Sequence, residues 1–381
     1  MTDAYHMLDD DERMFCAVLE RIVAERIAPL AAQVDETSVF VHAQLETLAE
    51  AGVMGANLPE AHGGSGISAP SLLRAVEIVA GGCGSTASAL TAHFLATDSV
   101  LIGGTDAQRA YLLPRAAEGA ILGAFALTEP TAGSDPADMK TRATRTADGW
   151  HLHGTKCFIS NGGVADFLVV YAVTDPQARH RGISAFLVPK DTPGFEAASP
   201  ERTMGLKGGH VFALSFDCHL PGDALLGGVE GQGFRTAMQV LDNGRVEVAA
   251  QCLGMAGTAL DHALAYAKDR VIGGEALGAK QGIRWMLADM GLELEAARLM
   301  ALEAARQRDL GQRFSRAAAM AKLKASEAAD AIADAALQIH GGYGYTRDFP
   351  LERITRDLRI MRIYEGSSEI QRNIIAGHML A

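Results

Sequence analysis

The hydrophobic spacing of this chain changes period twice, and few folds accommodate the order it sets. Over residues 9–30, Phe15, Val18, Leu19 and Ile22 recur at helical spacing, and Pro29 marks the expected end. Helical patterns continue over residues 45–51, 72–81, 87–101 and 106–117, broken at Gly63-Gly-Ser-Gly66 and Gly81-Gly-Cys-Gly84. From about Ile121 short β-rich runs take over: Trp150 with Leu152, then residues 167–174, 183–188 and 212–216, where Phe212, Leu214 and Phe216 alternate. No helix of crossover length lies between these runs, so the sheet is expected to be antiparallel or barrel-like and not doubly wound. After Gly233 helical patterning returns, and residues 234–269, 277–308, 315–340 and 349–357 give four candidate helices rich in alanine, leucine and glutamate. The spacing thus predicts a multidomain α+β chain: an N-terminal α-helical domain at 1–120, a middle antiparallel β domain at 121–229 and a C-terminal four-helix bundle at 230–381.

Composition narrows the class. At 381 residues and 48% hydrophobic, the chain can bury a large core and build two or three structural units. Its longest apolar runs, such as residues 167–173, fall far short of the roughly 20 residues of a membrane helix, so no membrane span is expected. The acidic start, Met1 to Glu12, lacks the basic and apolar stretches of a secretory signal, and cytoplasmic residence is the expectation. Five scattered cysteines (Cys16, Cys83, Cys157, Cys218, Cys252) form no Cys-x-x-Cys pair, which argues against a disulfide framework and a metal site. A net charge of -12, from 34 basic and 46 acidic side chains, would repel a polyanion, so nucleic acid is not an expected partner. Alanine density over residues 317–336 suits close helix packing, either in a core or at a subunit interface.

Several familiar signatures are missing: Gly-x-Gly-x-x-Gly between strand and helix, a Walker loop, His-Glu-x-x-His and Gly-x-Ser-x-Gly. The chain carries instead three clusters of glycine and small polar residues. These are Leu127-Thr-Glu-Pro-Thr-Ala-Gly-Ser-Asp135, Phe158-Ile-Ser-Asn-Gly-Gly163 and Gln338-Ile-His-Gly-Gly-Tyr-Gly344. Each alone reads equally as a plain turn. A fourth stretch, Arg362-Ile-Tyr-Glu-Gly-Ser-Ser-Glu-Ile-Gln-Arg372, sets Glu365 behind two apolar residues and ahead of Gly366. Burial there would raise the carboxyl pKa toward the operating range of a general base. The same residues could also open a helix, with Ser367 and Ser368 as caps and Glu365 in solvent.

In combination and order, these clusters resemble the acyl-CoA dehydrogenase family, with matches over residues 59–66, 127–135, 150–163, 229–245, 281–298 and 338–372. The resemblance implies a helical domain, a middle β domain and a C-terminal four-helix bundle that builds a homotetramer or homodimer. It implies an FAD-dependent oxidoreductase that converts an acyl-CoA to its trans-2-enoyl thioester and passes electrons to an electron-transfer flavoprotein. Glu365 matches the family's base, which removes the α-proton while the β-hydride goes to flavin N5; its own backbone N–H would polarise the thioester carbonyl. Some members place the base just before the arginine that here is Arg245, and that position is Gly244, which cannot serve.

For the cofactor, the resemblance points to Phe125, Leu127 and Thr128 along the flavin ring. Phe158 and Ser160 stand beside N5, and Gly133 and Ser134 in the turn between flavin and thioester. Gln338, Gly341 and Gly342 resemble the loop that holds the FAD of a neighbouring subunit, while Ser367 and Glu369 resemble further cofactor contacts. Arg270 and Gln281 match another FAD segment, in which Gly273 replaces a customary phenylalanine. Ser134, Asp242, Arg245, Tyr364 and Gly366 match substrate contacts. Gly208-Gly-His-Val211 also departs from the family pattern, and His210 is read as a surface histidine.

Two alternatives share this fold: a dehydrogenase acting on an acyl carrier protein thioester, and an oxidase or monooxygenase that uses dioxygen. A DNA-associated relative would carry a basic C-terminal extension, whereas this chain stops nine residues after Arg372.

Overall fold

Asp9 opens the first helix by accepting the Glu12 N–H at 2.9 Å, while the Glu12 carboxylate reaches back to the Asp9 N–H at 3.3 Å. The structure, a computed structural model, describes residues 5–380. The acidic stretch read above for a secretory signal begins outside them.

Helix α1 (Asp10–Ile22) does not run unbroken to Leu30. A wide turn at Val23–Ile27 and a tight one at Ala28–Leu30 follow it, where Pro29 lacks an N–H to donate. Then come α2 (Ala31–Thr37), α3 (His42–Glu50), α4 (Ala69–Gly82), α5 (Gly84–Gly103) and α6 (Asp106–Ala117). Every residue of α5 from Gly84 to Val100 is buried, so this helix is enclosed on all sides and is the spine between the sheet and the C-terminal helices.

The strands are β1 (Gly123–Ala126), β2 (Arg142–Arg145), β3 (Gly149–Ser160), β4 (Phe167–Val173), β5 (Ile183–Pro189), β6 (Phe195–Ala197) and β7 (Val211–Pro221). Antiparallel ladders join β2 to β3, β3 to β7, β6 to β7 and β4 to β5. The sheet is mainly antiparallel, as expected, with two parallel pairings to β4: β2 meets it at Arg142 opposite Val173, and β1 pairs along its length, Gly123 opposite Phe167. The connection is irregular chain and other strands instead of a helix, which is why no crossover period shows in the sequence.

Helix α7 (Gly233–Asp269), about 55 Å long, is followed by the hairpin β8 (Val271–Ile272) and β9 (Glu275–Ala276), then α8 (Gln281–Asp309) and α9 (Ser315–His340). Gly273 and Gly274 form the two-residue hairpin turn, both with positive φ (64° and 83°), a geometry that glycines adopt freely. The expected fourth long helix is a short one, α10 (Leu351–Leu358); a helix that spacing missed, α11 (Ser368–Leu380), closes the chain and packs on α9. Among the described residues, no helix is long and apolar enough to cross a membrane.

Candidate active site

Between α10 and α11 the backbone reverses at Glu365 and Gly366, with φ of 52° and 89°. A glutamate in the left-handed region is uncommon and needs surrounding structure to hold it. Gln371 Nε2 donates to the carbonyls of Glu365 (3.1 Å) and Gly366 (2.8 Å), and Lys322 Nζ donates to the Gly366 carbonyl at 2.8 Å. These donors occupy the carbonyl side of the turn. The N–H of Glu365 has no hydrogen-bond partner among the described residues.

The Glu365 residue is half-buried, yet its Oε2 is sealed from solvent and unpartnered. Gly244 of α7 lies directly under it: a Cβ at 244 would overlap Glu365 Oε2 and come within 2.8 Å of Leu95 Cδ2 on α5. Burial pushes the Glu365 carboxyl up to about 7, against the opposing pull of Lys322 and Arg245. Burial likewise draws Lys322 down to about 8 although Cys252 and Glu365 favour its charge. Tyr364 donates its hydroxyl to Gln251 Oε1 at 3.2 Å, and Gln251 Nε2 donates to Thr91 on α5 at 3.1 Å. Arg245 pairs with Asp242, which also accepts from Ser315 Oγ. Of the expected substrate contacts, Asp242, Arg245, Tyr364 and Gly366 therefore gather around Glu365, and Ser134 lies on an exposed loop of the β region, with no hydrogen bond or ion pair to them among the described residues.

The second group of expected residues meets at the sheet end nearest α5. Asn161 Nδ2 donates to the Ala89 carbonyl at 2.9 Å, and the Gly123 N–H donates to His93 Nδ1 at 3.0 Å, which fastens β3 and β1 to the spine. The Cys157 N–H donates to the Thr128 carbonyl at 3.0 Å, so Leu127 and Thr128 lie alongside Phe158. Phe125 is half-buried against Tyr171, 5.0 Å between ring centroids. Phe158 is 66% exposed at a φ of 55°. The hydroxyls of Thr128 and Ser160, both half-buried, have no partner among the described residues. Gly133 sits in the same exposed loop as Ser134.

The third group is elsewhere. Arg270, Gly341 and Gly342 line a cavity of about 450 Å³ with Tyr266, His340 and Tyr343, and Gln338 and Gln281 are exposed. No hydrogen bond or ion pair joins these residues to Glu365 among the described residues. Ser367 is half-buried and Glu369 exposed at the start of α11. His210 is not a bare surface group: its Nε2 bonds the Ser38 carbonyl at 2.8 Å and its ring packs near Phe40.

Profiles of the N-terminal, middle and C-terminal domains of acyl-CoA dehydrogenase match residues 9–120, 124–218 and 231–380. The chain belongs to the acyl-CoA dehydrogenase family. It is 42% identical over 375 residues to short-chain specific acyl-CoA dehydrogenase, mitochondrial, of Homo sapiens, covering 98% of this chain and 91% of that one. The solved structure of butyryl-CoA dehydrogenase from Megasphaera elsdenii matches with a TM-score of 0.96 and 38% identity, over 98% of this chain and 99% of that one. The prolyl acyl carrier protein oxidase AnaB matches at 0.94 and 29% identity, over 98% and 99%. The helical, β, helical order is that of acyl-CoA dehydrogenases, and membership brings FAD-dependent oxidoreductase chemistry.

The residues present fit a flavin. An exposed phenylalanine, a half-buried one and two unpartnered hydroxyls at a sheet end suit a flat ring with a polar edge. Sequence reasoning missed the side chains that hold this platform and the base in place. Lys156, buried, donates to the Leu127 carbonyl (2.9 Å) and pairs with Glu129 (2.8 Å), whose carboxylate also accepts the N–H groups of Lys140 and Thr141. Lys322 and Gln371 were missed likewise. Lys322 stands at the helical spacing of buried Ala318, Ala325 and Ala329, a signal that a lysine there points inward.

Proposed function

We propose that this chain dehydrogenates an acyl thioester between C2 and C3, with Glu365 as the base that takes the C2 proton. The unpartnered, sealed Glu365 Oε2, at a pKa of about 7, carries the reading. Gly244 leaves room for that carboxylate to lie against α7. The free N–H of Glu365 would donate to the thioester carbonyl and stabilise negative charge as the proton leaves. Gln371 and Lys322 hold the carbonyl side of the turn, and the carboxylate and N–H of Glu365 would then meet the same substrate. FAD, when bound, supplies the hydride acceptor; Phe125, Leu127, Thr128, Phe158 and Ser160 would hold its ring. The third group, Arg270, Gln281, Gln338, Gly341 and Gly342, would then serve the FAD of a partner subunit.

Coenzyme A is the proposed thioester carrier and an electron-transfer flavoprotein the proposed acceptor. Exposed Trp285, Leu292 and Leu299 recur every seven residues on α8, an apolar seam that supports a homodimer or homotetramer. All five cysteines are free thiols, which supports a reducing, cytoplasmic setting. The structural likeness to a carrier protein oxidase favours one second reading, in which the acyl group arrives on a carrier protein or dioxygen takes the electrons. Turnover of one acyl group on both carriers, with and without air, separates the readings.

Glu365→Gln tests the base. The variant should keep bound FAD and lose at least about 1000-fold in turnover when acyl-CoA esters are added anaerobically and flavin bleaching is followed. Unchanged bleaching would overturn the assignment.

A further inference from the structure

Two carboxyl groups lie on the inner side of Glu365 and have no use in the proton transfer. Glu247 stands on α7 one turn beyond Gly244, on the face that packs under the Glu365 carboxylate. Asp98 stands on α5 one turn beyond Leu95, whose methyl crowds the same glycine. Asn243 Nδ2 donates to Asp98 Oδ2 at 2.6 Å and Asn57 Nδ2 to Oδ1 at 2.7 Å, so Asp98 is satisfied and fixed. Glu247 is not. It is 2% exposed, and neither carboxyl oxygen has a hydrogen-bond partner. Burial, then Asp98 and Glu365, push its carboxyl well above the usual range, against Arg308. Arg308 forms no ion pair with either carboxyl among the described residues.

A buried carboxyl with nothing bonded to it, charged or protonated, is costly, and such a group persists where a ligand completes it. The direction of the ligand follows from size, on the reading above that Glu365 meets C2. The carrier end of a thioester must emerge into solvent, so the acyl chain points inward, along the wall of α5 and α7 on which the Glu365 carboxylate rests. Glu247 and Asp98 lie on that wall.

We propose that Glu247, backed by Asp98, recognises the far end of the acyl chain, so that this site prefers a thioester whose chain ends in a hydrogen-bond donor, a hydroxyl or a cationic nitrogen, over a plain alkyl chain. Glu247 accepts from the donor, while Asp98, held by Asn243 and Asn57, places a second carboxyl beside Glu247. An unmet polar group of this kind rejects the analogue that lacks the donor, which is a stronger discrimination than a methylene of fit gives.

The test uses the FAD-loaded protein and two shape-matched pairs of esters. These are 4-hydroxybutyryl-CoA against pentanoyl-CoA, and 4-guanidinobutyryl-CoA against 6-methylheptanoyl-CoA. The donor-bearing member of at least one pair should show a kcat/KM about 100-fold or more above its alkyl match, and the pair that does so separates neutral from cationic donors. Glu247→Leu should abolish or invert that preference, and Glu247→Gln should keep it for the hydroxyl only. Calorimetric binding to Glu365→Gln, which holds the ester unreacted, should show the same ranking. Alkyl esters that turn over as well as or better than their matches would overturn this inference and leave the dehydrogenase reading standing. Bleaching by no ester, with none bound, would overturn both.

Discussion

Glu129 and Glu365 are both acidic side chains enclosed by protein, and they are treated in opposite ways. Burial pushes the Glu129 carboxyl up, but Lys156 and two backbone N–H groups outweigh it and hold the group below the ordinary carboxylate value. Burial pushes Glu365 up to about 7 and nothing bonds its Oε2. The β-region pair is complete in itself and fixes the loop that carries Leu127 and Thr128. The helical-region carboxylate is incomplete, and incompleteness is what lets it take a proton from something else. A buried charge with all its partners is a brace; one without them is a site.

Breaking the brace should have the largest effect. Lys156→Met leaves Glu129 charged and buried, which costs about 3 to 5 kcal/mol, and it frees the Leu127 carbonyl. Adding Glu129→Gln should recover most of that loss, since a buried pair replaced on both sides is often near neutral. Denaturant midpoints of the three variants measure this. A double variant no more stable than the single would show that the pair is not the unit.

Glu365→Gln should do the reverse and stabilise. The folded carboxyl titrates near 7 and the unfolded one near 4.5, so the folded chain binds more protons between these values. The group's contribution to stability is therefore present below about 4.5 and lost as pH rises through 7. At pH 8 the substitution should gain up to about 3 kcal/mol, and near pH 4.5 almost nothing. The same carboxyl makes wild-type kcat/KM climb with pH to a plateau above about 7. An equal melting-temperature gain at both pH values would mean that the carboxylate is not strained by burial.

A smaller effect is expected from Gly244→Ala. Its Cβ meets the mobile end of Glu365, so the carboxylate must move and the backbone need not. Turnover should fall about 10- to 100-fold through misplacement. Stability should change little, because alanine in a helix offsets part of the crowding by about 1 kcal/mol. A variant that unfolds, or one with full activity, would mean that Gly244 shapes the helix and not the base.

These two regions were unequally legible in the sequence. The helix, strand, helix order followed from spacing, and Glu365 with Gly244 stood out through the resemblance of short motifs to the family's, because both depend on neighbours in the chain. The brace and the inner carboxylates depend on contacts between distant segments: Lys156 with Glu129, Asp98 with Asn57 and Asn243, Glu247 with no bonded partner at all. Along the chain, a glutamate on α7 has the look of any solvated helix residue, whereas Lys322 on α9 is marked by its spacing with Ala318, Ala325 and Ala329. The parallel β1 and β4 pair escaped for a related reason, since pairing direction is set by how the chain returns and not by either strand's pattern. Helix α11 was hidden because the residues it buries, Ser368 and Gln371, are polar, so its inward face shows no apolar period.

The smallest expected effect completes the comparison. Arg26 and Glu50 form an ion pair at 2.7 Å between α3 and the wide turn after α1, as short as the Lys156 and Glu129 pair but with both side chains exposed. Water already solvates each partner, so removing one leaves nothing stranded, and Arg26→Ala should cost under about 1 kcal/mol. Denaturant midpoints at low and high salt check this, because an exposed pair is screened and a buried one is not. A cost for Arg26→Ala close to that for Lys156→Met would mean that distance alone sets the value of a pair. A small, salt-sensitive cost would mean that burial does, and burial is also the property that separates Glu365 and Glu247 from the acidic surface around them.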